Sequence, residues 1–163
     1  MADARLKAYG LAAAVAALDR LSKWIIESRV GFEDTYRVIP GFFDIVHSQN
    51  RGVAFGLFND STSEWRTMLL IVLSLAAAAV VAAMLWQAPR LDRLTRTGLA
   101  LVLGGAGGNV FDRLAWGYVT DFLEFYVGSY HWPTFNVADS AIVIGSGLLV
   151  IEMLKPKRET ART

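Results

Sequence analysis

The sequence predicts an all-α polytopic membrane protein with four transmembrane helices and one domain spanning residues 1–163. Three observations predict it. Hydrophobic residues make up 54% of the chain and mean hydropathy is positive, high for a water-soluble protein of this length. These residues fall in runs long enough to cross a bilayer core. Basic residues gather at one set of helix ends. Lipid then takes the place of the partner surface that a soluble helix needs.

Composition also narrows the function. The net charge of +1 comes without a Lys/Arg tract that could track nucleic acid. The absence of cysteine excludes disulfides, thiolate metal sites and a cysteine nucleophile. The two histidines, His47 and His131, stand in loop-like sequence without metal-ligand spacing, so no metal or other cofactor is expected.

The first span covers about 6–26. Arg5 and Lys7 ahead of an alanine-rich run would also suit a cleaved signal peptide. However, Asp19, Arg20 and Lys23 follow the run directly, with no clear small-residue cleavage site before a soluble domain. A retained helix fits better, and on it Asp19 and Lys23 are four apart and share a face. Residues 28–64 form an outer cap with short strands near 36–39, 43–48 and 53–57, where β-branched and aromatic strings are broken by Gly and Pro.

The second span, 67–88, carries no charge. It would extend roughly 33 Å, with Trp65 and Trp86 near its ends at the two interfaces. A tight basic turn with Arg90, Arg93 and Arg96 leads to the third span, 97–114. Gly104 and Gly108 stand there at GxxxG spacing, which lets another helix approach closely. Residues 115–135 read as a second outer loop, and 136–154 as the fourth span ahead of a basic tail. The positive-inside rule then places both termini in the cytoplasm and the two larger loops outside.

This topology puts Asp19, Lys23, Asn109, Asp112, Arg113, Asp121 and Asp139 at one depth, near the outer interface. Charged groups in spans are costly and mark function by default. Such clustering describes a site in the outer leaflet, not a path across the bilayer. Asp121 and Asp139 are the candidate chemistry. Two carboxyls close together keep one proton between them. One can then activate water while the other protonates a carbonyl oxygen or leaving nitrogen. The alternatives are a helix cap or an ion pair, such as Asp121 with Arg113, or Asp139 favoured by the dipole of its helix. Asp112 with Arg113 reads as a structural ion pair or as an aid in positioning substrate, and Asp19 with Lys23 as a structural pair rather than a site. Asn50 either lines the site or ends a strand. Phe42, Phe43, Tyr126, Tyr130 and Trp132 read mostly as interface anchors, and some of them could cover a substrate.

Five blocks, taken together, carry a resemblance. They are D-R-L-S-K at 19–23, N-R-G-V-A-F-G at 50–56, G-G-N-V-F-D-R at 107–113, V-T-D-F at 119–122 and F-N-V-A-D-S-A-I at 135–142. In order and spacing the chain resembles the lipoprotein signal peptidase (signal peptidase II) family over nearly its whole length. The resemblance implies an aspartic endopeptidase of the bacterial inner membrane with its dyad at Asp121 and Asp139. Its partners would be membrane lipid and prolipoproteins, which it cuts before a diacylglyceryl-modified cysteine, and its inhibitor would be globomycin. It also implies a small extracytoplasmic β-sheet and a short interfacial helix over the site. Asp19, Lys23, Asn50, Gly52, Ala54, Gly108, Asn109, Asp112, Arg113, Asn136 and Ala138 would support the site or touch substrate.

One chain holds every needed group, so a monomer is expected. A proton-coupled transporter would spread polar groups over several depths and often show internal repeats; neither is seen. A packing subunit built on Gly104 and Gly108 would leave the outer acids unexplained. A presenilin-like protease would want a G-x-G-D motif, which is absent.

Overall fold

The computed structural model describes residues 2–51 and 64–155. In chain order the elements are α1 (Ala2–Arg29), β1 (Thr35–Ile39), β2 (Phe43–Asn50), α2 (Glu64–Leu85), α3 (Arg93–Trp116), β3 (Val119–Val127), β4 (Tyr130–His131) and α4 (Val137–Leu154), with a 3-10 turn at Ala88–Arg90. Four helices lie where the four apolar runs do, with α1 reaching beyond both ends of 6–26. Two of them, through Met68–Leu85 and Val137–Leu154, are long and apolar enough to cross a membrane by composition. The other two carry more of the charged residues. Side chains such as Val72, Leu73, Val143 and Val150 are apolar and exposed, the arrangement lipid contact favours.

Helix α3 is the hub and packs against α4, α1 and α2. Its start is capped by Asp92, whose side chain accepts from the Thr95 N–H at 2.9 Å, and its end by Gly117 in the left-handed conformation at φ 76°. Glycines allow the close packing. A Cβ on Gly104 would stand 2.6 Å from the Ala12 carbonyl of α1, which is the approach expected from the GxxxG spacing. A second glycine face was not anticipated: Gly98 and Gly105 meet α4, where a Cβ on Gly105 would stand 2.3 Å from the Ala138 carbonyl.

Gly105→Ala should therefore lower stability by about 1–3 kcal/mol through overpacking. Gly107→Ala, whose Cβ meets nothing within 4 Å, should gain about 0.5–1 kcal/mol. Thermal unfolding in detergent separates the two, and equal shifts would contradict this helix packing.

The region 115–135, expected as a loop, instead contributes β3 and β4 to a four-stranded antiparallel sheet of order β1-β2-β3-β4. The first four residues of β3, Val119 to Phe122, are buried on both faces, and burial falls off toward Val127. The expected strands near 36–39 and 43–48 are β1 and β2. The one near 53–57 lies outside the described residues, and no short helix over the site occurs among the described residues.

Sheet and bundle meet through Ile26, Val30 and Phe122, with Ile45, Leu123 and Val137 around them. Phe135 then ties α4 to β3. Its carbonyl accepts from Phe122 and Leu123, and its N–H donates to Leu123, all at 2.9–3.1 Å. That clamp sets the start of α4 beside Asp121.

Candidate active site

The site begins with one stripe of α1. Asp19, Lys23, Ile26 and Val30 recur at helical spacing and are buried. Asp19 and Lys23 are fully buried and pair at 2.6 Å, as their spacing implied. The ammonium has three partners: Asp19 Oδ2, Asp112 Oδ2 at 2.7 Å and Asn109 Oδ1 at 3.0 Å. The second Asp19 oxygen accepts from the Ala138 N–H at 2.8 Å, one of the orphan donors of the first turn of α4. Gly108 leaves room for Asp19, since a Cβ there would stand 2.5 Å from its carboxylate.

Asn136 is the junction. It caps α4 by accepting from the Asp139 N–H at 2.9 Å. Its Nδ2 donates to Asp121 Oδ1 at 2.7 Å, and at longer range to Asn109 Oδ1 and the Thr120 carbonyl. Asn109 in turn donates to Asp139 Oδ1 at 2.7 Å. Two side-chain amides thus bridge the two carboxyls. Asn50 reaches the other Asp121 oxygen at 3.1 Å, diagonally across the β2–β3 ladder, where Ser48 faces Asp121.

The two acids differ in exposure. Asp121 is 2% exposed, whereas Asp139 is half-buried. Burial pushes the Asp121 carboxyl up to about 6, against the lowering effect of the hydrogen bond from Asn50, and the charge of Asp139 raises it further. Arg113, half-buried, lies within electrostatic reach of Asp139, Asp121 and Asp112.

The expected residues therefore converge, with corrections of partner. Asp112 pairs with Lys23 and Arg20 rather than with Arg113. Adjacent residues on a helix point about 100° apart, so Arg113 faces the two acids while Asp112 faces α1. Asp121 is anchored by amides; no ion pair joins it to Arg113 among the described residues. Gly52 and Ala54 lie outside the described residues. His47 contacts the Val30 carbonyl at 2.8 Å through Nδ1 and stacks on Phe32. No group of three His, Asp or Glu that could hold a metal occurs among the described residues. Sequence reasoning passed over Arg20, Glu27, Thr120 and Gly105. The first two were legible as a charge pair seven apart on one helix face.

Four helices around a small sheet, with two bridged carboxyls where they meet, define a membrane-enzyme fold. A solved structure described as a bacterial membrane enzyme matches with a TM-score of 0.82 at 25% identity, covering 96% of this chain and 93% of that one. A second of the same description gives 0.80 at 26% identity, covering 91% and 93%. The family described as signal peptidase (SPase) II matches residues 11–155. The lipoprotein signal peptidase of Solibacter usitatus (strain Ellin6076) is 65% identical over 99% of this chain and 98% of its own. That of Nitratidesulfovibrio vulgaris (strain DP4) is 42% identical over 90% and 88%. The chain belongs to the signal peptidase II family and is thus a protease.

Proposed function

We propose that the chain is an aspartic endopeptidase that removes signal peptides from bacterial prolipoproteins, cutting before a diacylglyceryl-modified cysteine. The bridged pair Asp121 and Asp139 carries this reading. The two share one proton, and burial makes Asp121 its favoured seat. The ionised member draws a proton from water as that water attacks the scissile carbonyl. The protonated member donates to the carbonyl oxygen; the proton taken from water then passes to the leaving nitrogen as the C–N bond breaks, and the intermediate's hydroxyl proton returns to the pair.

Asn50 and Arg113 hold the unwound substrate segment, since a helical peptide hides its carbonyl in its own hydrogen bonds; Asn136, expected to share that task, is fully buried and acts through Asp121 and the start of α4 instead. Asp19, Lys23, Asn109, Asp112, Gly108 and Ala138 hold the helices that carry the acids. Gly52 and Ala54 line the site on the strength of the resemblance alone. All four helices span the inner membrane as a monomer with both termini cytoplasmic. The site then stands near the outer face, at the depth where a lipidated cysteine rests. Globomycin is an expected inhibitor acting at this site.

The test is purified protein in detergent with a precursor peptide bearing or lacking diacylglycerol on its cysteine. The lipidated precursor should yield a product that begins at the modified cysteine, read by mass. Equal cleavage of both precursors, or a cut elsewhere, would overturn the substrate assignment.

A further inference from the structure

A second polar network lies behind the site. Arg20 grips Glu27 through both guanidinium ends and also reaches Asp112 Oδ1 at 3.2 Å. Its guanidinium lies 4.5 Å from the centre of the Trp116 ring. Glu27 Oε1 then accepts from the Thr120 hydroxyl at 2.8 Å. This links α1 and α3 to β3 at the residue next to Asp121. Successive side chains on a strand point to opposite faces, so Glu27 holds β3 from the side away from Asp121. The backbone carbonyl of Thr120 also faces Asn136, the amide that bridges the two acids.

The backbone ladder has an irregularity here. Ile45 faces Leu123, and the next pair is Ser48 with Asp121. Three residues of β2 are thus spent against two of β3, the signature of a bulge, which leaves a residue unpaired and disrupts the ladder locally. The bulge lies on β2, directly beyond the Ser48–Asp121 pair, so the regular ladder is interrupted on one side of Asp121. Thr120, 1% exposed, supplies a side-chain anchor at that point.

We propose that Glu27, held by Arg20, is a positioning residue that fixes Thr120 and so sets the aim of Asp121 toward Asp139. A carboxylate suits the role because it can accept from a hydroxyl and a guanidinium at once. The proposal rests on the dyad reading in one respect, that Asp121 reacts.

The test uses the full chain in detergent with the lipidated precursor peptide. Thr120→Val keeps the β-branched shape and deletes the hydroxyl; Thr120→Ser restores it. Thr120→Val should lower kcat about tenfold with KM within about twofold, and Thr120→Ser should return kcat to within about twofold. Carbon-13 labelling of aspartate gives a readout independent of turnover. In Thr120→Val the Asp121 carboxyl should titrate lower than in the wild type, as the loosened strand admits water; in Thr120→Ser it should not. The groups facing that carboxyl, Asn50, Asn136, Asp139, Lys23 and Arg113, are the same in both variants. Wild-type kcat and titration in Thr120→Val, or equal impairment in Thr120→Ser, would overturn the proposal. Retained turnover in Asp121→Asn would overturn the dyad reading instead, and the titration alone would then decide whether Thr120 holds the strand.

Discussion

Replacing Asp121 or Asp139 with Asn should lower prolipoprotein processing about a thousandfold or more, because either change removes half of a proton-transfer pair. Alanine at Asn50, Arg113 or Asn136 should cost less, about ten- to a hundredfold, since those side chains hold rather than react. Initial rates on the lipidated precursor decide this, and equal losses at all five positions would refute the division of roles.

Asp121→Asn should also change stability in a pH-dependent direction. In the folded chain this carboxyl titrates near 6, above the ordinary 3.8. Below about pH 3 it is protonated in both folded and unfolded chains, and its contribution is level. As pH rises from about 4 through 6, the unfolded chain releases the proton first and the fold loses stability, by about 2–3 kcal/mol. Asn cannot ionise, so the variant should melt several degrees higher than the wild type at pH 7.5 and alongside it at about pH 3. An enzyme that melts higher once its acid is removed would be holding that acid at a cost to its own fold.

Lys23→Met should be the most damaging single change to the scaffold. It leaves Asp19 and Asp112 facing each other with the ammonium gone, and the loss is expected at about 3–5 kcal/mol. Adding Asp19→Asn and Asp112→Asn should recover most of it, because the penalty comes from unpaired buried charge and not from lost attraction. Denaturation in mixed micelles measures both variants. A triple variant as unstable as the single one would show that packing, not charge, dominates there.

Much of this arrangement could be read before any coordinates. Asp19 and Lys23 declared their contact by helical spacing, and Gly104 with Gly108 declared a helix approach. The acids stood out because charge near lipid is expensive. What escaped notice depended on contacts between distant segments. The stretch Val119–Val127 has no clean apolar–polar alternation, because it is buried on both faces at Asp121, and its polar residues at Thr120, Asp121 and Glu124 resembled loop. Asp112 and Arg113 looked like partners because they are neighbours in sequence, although helical geometry sends them to different sides. Thr120 has no local signal, because its partner Glu27 lies 93 residues away.

Asn136 closes the first turn of α4 with one end of its amide and joins the two acids with the other. Aspartate at that position would keep the cap but add a negative charge beside the pair. Serine would keep the cap but fall short of Asp121. A drug that relied on the spacing of the two acids would thus rely on this buried amide as well: substitutions here that shift the acids also weaken the enzyme, so resistance would have to arise elsewhere on the chain.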